Sequence, residues 1–385
     1  MEKTPRSFIR EILKVTEDPK IISFAGGLPN PALFPVEALI EAARVVLAED
    51  GTSALQYSTT EGYLPLREFI ARRYLKRSGL QISSGQILIT NGSQQCLDLL
   101  GKVFINNQEP VAIERPGYLG AIQAFSLYEP KFYDVPLLED GPDTDILTQV
   151  LDTHSPKFFY GVPNFQNPSG LSYSGGKRQE VAAIMSEHET PFIEDDAYGE
   201  LRFRGDDHHL VSSYIPDLGI ITGSFSKIIS PGMRMGWIAA PKEVFEQVVT
   251  AKQASDLHSN YLTQRIIYQF LADNDIDRHI HHIREVYRNQ CDIMVNMIEE
   301  TFPPEVTITR PDGGMFLWAT LPRGFSTMDL FTIAIKENVA FVPGNPFYTD
   351  SSGSESMRLN FSNSDDEHIV EGITRLSKAI HSMLK

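Results

Sequence analysis

The sequence predicts an α/β protein whose larger part holds a mainly parallel seven-stranded sheet and whose smaller part is α+β. Three observations predict it. From about residue 85 to 240, short β-rich runs alternate with helical stretches, the pattern of repeated strand–helix–strand units. After Pro241 the alternation stops and a long helical region runs to about Glu300. Beyond it, three more strand-like runs and a closing helix form a pattern of their own. A chain of 385 residues, 42% hydrophobic and 22% charged, has ample apolar surface to bury in such an arrangement.

Seven runs read as strands of the large sheet: 87–90, 111–114, 131–135, 157–162, 191–194, 218–222 and 236–240. Each is rich in β-branched or aromatic residues and bounded by turn formers. Helical stretches at 94–104, 118–126 and 176–187 lie between them. In the smaller part, 315–320, 339–342 and 357–361 read as strands, and 367–384 as the last helix. The expected division is a large unit over 46–275 and a small one from 1–45 plus 276–385, because the N-terminal segment is too short to fold alone.

The formal net charge of -16 argues against a broad phosphate-backbone contact surface, so no nucleic-acid partner is expected. The first residues (Met1-Glu2-Lys3-Thr4-Pro5-Arg6) lack the apolar stretch of a secretory signal, and no apolar run approaches membrane-spanning length. Cys96 and Cys291 have no metal-ligand spacing and suggest no disulfide framework. His279, His281 and His282 crowd one helical stretch without accompanying ligands, so no metal is expected. A cytoplasmic location is the expectation from these features.

The chemistry concentrates where strands end. Lys227 follows the strand 218–222 within Gly223-Ser224-Phe225-Ser226-Lys227, and Arg234 comes seven residues later. An amine beside two hydroxyls and a guanidinium is what pyridoxal 5′-phosphate (PLP) requires, an imine-forming lysine next to a phosphate site. The same residues also fit a surface lysine in a strand–helix turn. Ser93 and Gln94, in Asn91-Gly92-Ser93-Gln94-Gln95, open a helix whose free N–H groups favour an anion, and equally Ser93 or Asn91 could cap that helix.

Asp195 and Tyr198, in Glu194-Asp195-Asp196-Ala197-Tyr198, end another strand. A carboxylate there can pair with a protonated pyridine nitrogen, and a tyrosine can meet the ring's phenolic oxygen. Acidic residues at strand ends also serve solubility. Asn167 sits in a turn before proline over the same sheet edge. Arg358 lies in an apolar strand and wants a bidentate partner, either a substrate carboxylate or a structural acid. Tyr118 either stacks on an aromatic ring or fills the core.

In this order the motifs resemble the fold-type I PLP-dependent enzymes of the class I/II aminotransferase family, closest to its 2-aminoadipate and kynurenine aminotransferases. The resemblance runs from about Ile21 to the C-terminus. It is carried by Ser23-Phe24-Ala25-Gly26-Gly27-Leu28-Pro29-Asn30, Leu55-Gln56-Tyr57-Ser58, Asn167-Pro168-Ser169-Gly170, Gly313-Gly314-Met315-Phe316-Leu317-Trp318 and Val342-Pro343-Gly344-Asn345, besides the phrases above.

The resemblance implies Lys227 as the Schiff-base lysine and proton shuttle, Asp195 on the pyridine nitrogen, and Asn167 and Tyr198 on the ring oxygen. It implies Tyr118 stacked on the ring, and Ser93, Gln94, Ser224, Ser226 and Arg234 on the phosphate. Tyr57 would reach in from a second subunit, which requires a homodimer with shared sites. Arg358 would grip the substrate carboxylate, with Gly27 and Asn167 against the substrate and Arg10 at its side chain. The implied activity is a transfer in two half-reactions from 2-aminoadipate, glutamate, or an aromatic or bulky aliphatic amino acid to a 2-oxo acid such as 2-oxoglutarate. The segment 30–35 is the expected movable element of the side-chain pocket.

A PLP-dependent lyase would use nearly the same residues. The fold also serves as the effector-sensing half of some transcription regulators. With the resemblance starting near Ile21, a preceding DNA-binding domain is not expected.

Overall fold

A computed structural model of the chain describes residues 18–384, and Arg10 lies outside the described residues. In chain order, strand β1 (Ile22–Ser23) leads to helices α1 (Val36–Ala54) and α2 (Leu64–Ser78), then β2 (Ile87–Thr90) and α3 (Ser93–Phe104). There follow β3 (Pro110–Arg115), α4 (Leu119–Ser126), β4 (Lys131–Leu138), β5 (Gly141–Pro142), α5 (Thr144–His154), β6 (Phe159–Gly161) and α6 (Gly175–Glu187). Next come β7 (Phe192–Asp195), β8 (Gly219–Ser224) and β9 (Gly236–Ala239). Three helices, α7 (Lys242–Asp256), α8 (Tyr261–Asp273) and α9 (Ile276–Thr301), occupy the long helical region. Strands β10 (Thr307–Ile308) and β11 (Phe316–Thr320), helix α10 (Thr327–Lys336), strands β12 (Val339–Ala340), β13 (Val342–Pro343) and β14 (Ser356–Asn360), and helix α11 (Asp366–Leu384) complete the chain.

The large sheet has the order β2-β9-β8-β7-β6-β3-β4-β5. Its five central strands, from β8 to β4, are parallel, while β9 runs antiparallel to both β8 and β2. All seven expected strands are present, and the eighth, two-residue β5 closes a short antiparallel hairpin on β4. Residues of β2, β6, β7, β8 and β9 are buried throughout, as strands covered on both faces must be. The second sheet, β10-β11-β14-β13, is antiparallel, and β1 pairs with β12 in a separate parallel ladder.

The run 339–342, expected as one strand, is two: β12 pairs with β1 and β13 with β14, with Phe341 between them. Helix breaks in the long helical region fall at polar caps, where Asn260 accepts from the Thr263 amide and Asp275 from the Arg278 amide. Residue 45 lies inside α1, and residue 275 is the cap of α9. No helix among the described residues is long and apolar enough to cross a membrane.

Because β6, β7 and β8 are parallel, their carboxyl ends Gly161, Asp195 and Ser224 share one edge of the sheet. Ligands of open α/β sheets bind at that edge.

Candidate active site

A cavity of about 380 Å³ opens there, and every expected site residue among the described ones lines it except Tyr57. Lys227 ends a short 3-10 turn, Phe225–Lys227, directly after β8. The turn starts because Ser224 Oγ accepts from the Ser226 amide at 3.1 Å and Phe225 packs on Trp237, ring centres 4.8 Å apart. Lys227 Nζ donates to the Gly27 carbonyl at 2.8 Å. Burial, then the cations Arg358 and Arg234, push its amine down to about 8.

Asp195, the last residue of β7, accepts from the Tyr160 phenol at Oδ2 over 2.7 Å. Its Oδ1 is buried with no hydrogen-bond partner among the described residues. Burial raises the carboxyl to about 6, against the lowering effect of Tyr160. Two residues before Tyr198, Asp196 is fixed by ion pairing to Arg77 and by the Asn164 amide at 2.8 Å.

Asn167 bridges two other site residues. Its Nδ2 donates to Tyr198 Oη at 3.1 Å, and its Oδ1 accepts from Arg358 Nη1 at 2.8 Å. The turn that presents it closes at Gly170, whose φ of +73° and 2.5 Å approach of a would-be Cβ to the Phe316 carbonyl leave no room for a side chain. Burial drives the Tyr198 phenol well above its ordinary range.

Arg358 sits mid-strand in β14, opposite Trp318 of β11 and Val342 of β13. Its guanidinium lies 4.4 Å from the ring centre of Phe316 and 5.2 Å from that of Phe347. Nη2 donates to the Ala25 carbonyl at 2.7 Å, while Nε is buried without a partner among the described residues. Burial lowers the group to about 10, which leaves it cationic at neutral pH.

The anion-binding end is built from three segments. Gly92, at φ +79°, turns β2 into α3 and brings Ser93 to the helix start. A Cβ on Gly92 would stand 2.5 Å from Arg234 Nη2, so the guanidinium occupies the space that glycine leaves. Arg234 itself adopts φ +50° at the end of the Pro231–Met233 turn and donates to the Asn91 carbonyl at 3.3 Å. Ser224 and Ser226 hydroxyls meet at 2.8 Å, and Gln94 donates to the Gly120 carbonyl at 2.8 Å. Tyr118 precedes α4, and burial raises its phenol to about 12.

Tyr57 lies elsewhere. It is 79% exposed, edge-on to His258 at 5.9 Å between ring centres, beside a second surface cavity. Sequence reasoning missed Tyr160, Ala197, Leu28 and Gln123, of which Tyr160 touches Asp195 and the others line the cavity. Tyr160 carried no signal beyond that of a buried aromatic in a strand.

The chain is similar to known proteins in sequence and in fold. The profile of the family described as aminotransferase class I and II matches residues 20–376. The chain is 44% identical over 382 residues to a 2-aminoadipate transaminase of Thermus thermophilus, covering 98% of this chain and 94% of that protein. It is 40% identical over 385 residues to aromatic-amino-acid aminotransferase 1 of Thermococcus litoralis, covering 98% and 92%. The crystal structure of LysN, an alpha-aminoadipate aminotransferase from Thermus thermophilus complexed with N-(5′-phosphopyridoxyl)-L-leucine, superposes with a TM-score of 0.93 at 42% identity. That match covers 100% of this chain and 96% of the other.

Proposed function

Since this chain belongs to the class I and II aminotransferase family, it is an aminotransferase that works with PLP, and we propose that its donors are 2-aminoadipate, glutamate, and aromatic or bulky aliphatic L-amino acids. The proposed acceptor is a 2-oxo acid such as 2-oxoglutarate. The observation that carries the reading is that Lys227, Asp195 and Arg358 converge on one cavity in which Asp195 Oδ1 and Arg358 Nε are buried without partners among the described residues. Buried polar atoms left unpaired are costly and rare, so two of them on one cavity fit a ligand with a cationic N–H donor and a carboxylate.

The residues fit PLP at each of its polar ends. When bound, it supplies an aldehyde carbon that condenses with amines and a ring that takes up the electron pair left as Cα loses its proton. Asp195 Oδ1 is free to accept from the ring nitrogen. Ser93, Gln94, Ser224, Ser226 and Arg234 offer donors to the phosphate, and Tyr118 offers a face to the ring. Asn167 and Tyr198, already hydrogen-bonded to each other, would both hold the ring oxygen.

Lys227 moves the proton. With its amine near 8, a useful fraction is neutral at neutral pH and accepts the Cα proton, which the same amine delivers to the carbon two bonds away. Arg358, oriented by Asn167 and Ala25, receives the α-carboxylate. Leu28 and Pro29 on the cavity wall support acceptance of apolar side chains.

The proposed organisation is a cofactor-holding unit over 46–275 and a smaller unit from 1–45 and 276–385 that brings Gly27 and Arg358. The proposed working form is a cytoplasmic homodimer, with Tyr57 serving the partner's site and Arg10 reading a distal substrate carboxylate.

The visible spectrum of the purified protein tests the reading. With PLP, a yellow band is expected that bleaches on adding 2-aminoadipate, glutamate, leucine or phenylalanine, the fastest bleach ranking the donors. A band that forms and persists with all four would overturn the donor assignment, and no band would overturn the assigned cofactor site.

A further inference from the structure

Behind the cavity wall lies a polar cluster that the mechanism does not use. Glu114, at the end of β3, is 1% exposed, yet no cation pairs with it among the described residues. Its Oε1 accepts from the Tyr173 phenol at 2.5 Å and from the Val162 amide at 3.0 Å, and its Oε2 accepts from Gln166 Nε2 at 3.2 Å.

Gln166 is fully buried and uses its whole hydrogen-bonding capacity. Nε2 donates to Glu114 and to the Pro116 carbonyl at 2.6 Å, while Oε1 accepts from the Ser169 amide at 2.8 Å and the Ser169 hydroxyl at 2.6 Å. Four bonds saturate a side-chain amide. They tie two loops that approach the cavity from different strands, one carrying Pro116 and then Tyr118, the other carrying Asn167. A buried amide so placed fixes its neighbours strongly, since every bond lost leaves a desolvated polar group.

We infer that Gln166, anchored by Glu114, is a positioning residue that locks the Tyr118 loop and the Asn167 turn into one frame. It does not line the cavity itself. Through Asn167 it sets the direction of Arg358, and through Pro116 the height of the Tyr118 ring. The inference rests on the proposed roles of Tyr118, Asn167 and Arg358. Glu114 anchors because both of its oxygens accept: an amide in its place turns one of the accepting oxygens into a donor, which then faces another donor whichever way it is turned.

The test uses the PLP-loaded enzyme with Gln166→Leu and Glu114→Gln. Both are expected to weaken the visible circular dichroism of the bound cofactor, which reports ring orientation. Each should also raise the PLP dissociation constant and the amino-acid KM and lower kcat/KM by up to ~100-fold, the cost in rate of misplacing reacting groups by ~1 Å. A lowered Tm with dichroism, PLP affinity and KM as in the wild type would overturn the inference and leave Gln166 a packing residue. If Gln166→Leu fails to fold, Ser169→Ala removes one of the four bonds. The same three quantities then shift less but in the same direction, and no shift overturns the inference. A wild-type protein with no cofactor band would instead sink the underlying functional reading.

Discussion

Tyr160 and Asp195 stand on adjacent parallel strands, and the phenol of the first donates to Oδ2 of the second over 2.7 Å. The bond leaves Asp195 Oδ1 as the oxygen without a partner among the described residues. One oxygen is thus held and the other is left unpaired, where the ring nitrogen of the proposed cofactor placement would meet it, while burial raises the carboxyl to about 6.

Tyr160→Phe therefore weakens cofactor binding in a pH-dependent way. Removing a donor to a buried carboxylate costs about 1–3 kcal/mol, or ~5–150-fold in PLP affinity. The sign follows from the ionised form: affinity is full above the Asp195 pKa and lost as pH falls through it. The variant, with its carboxyl pushed higher, loses affinity at a higher pH than the wild type. Equilibrium binding of PLP to the apoprotein between about pH 5 and 8 measures both effects. An unchanged pH profile would show that Tyr160 only packs.

Lys227 should reveal its depressed pKa without any substrate. Only a neutral amine attacks an aldehyde, so the apoprotein's rate of PLP capture should climb with pH and level off above about 8. An ordinary lysine would carry that climb on to about 10.4. Stopped-flow absorbance reads the profile. Lys227→Ala should keep the fold by circular dichroism and abolish transamination, and retained activity would remove Lys227 from the mechanism.

The parts of the site that the sequence makes legible are those whose chemistry is written in neighbouring residues. Ser224, Ser226 and Lys227 stand within four positions at a strand end, and Asp195 and Tyr198 within four at another. Tyr160 and Gln166 are not legible, because their meaning lies in partners 35 and 52 residues away and a buried aromatic or a turn glutamine looks the same without them. In the fold, the long strands announce themselves by apolar content. Two-residue strands such as β5 and β12 have no period to read, and the antiparallel placement of β9 depends on pairing with β2, far off in sequence.

Arg358→Lys separates substrate binding from cofactor binding. The lysine keeps a charge, but its three donors on one nitrogen cannot hold Asn167 Oδ1 and the Ala25 carbonyl and also give a carboxylate two parallel hydrogen bonds, for which the planar guanidinium fork has donors to spare. Charge-assisted hydrogen bonds are worth about 1.5–3 kcal/mol each, so loss of one should lower kcat/KM ~10–150-fold for every amino acid, acidic or apolar. PLP affinity should stay near the wild-type value. Loss confined to one class of donor would mean that Arg358 reads the side chain and not the α-carboxylate.

Tyr57 makes the last prediction, since its exposed ring lies outside its own cavity and beside a separate surface pocket. If it completes the site of a second copy, Tyr57→Ala should raise the PLP dissociation constant, and mixing it with Lys227→Ala should restore activity that neither homodimer has at limiting PLP. In a hybrid dimer one site carries both lesions and the other carries neither. Random reassortment makes half the dimers hybrid, so about a quarter of the wild-type activity should return. Co-expression with two affinity tags and assay of the doubly tagged species measures it. No recovery in an isolated hybrid would confine Tyr57 to its own subunit.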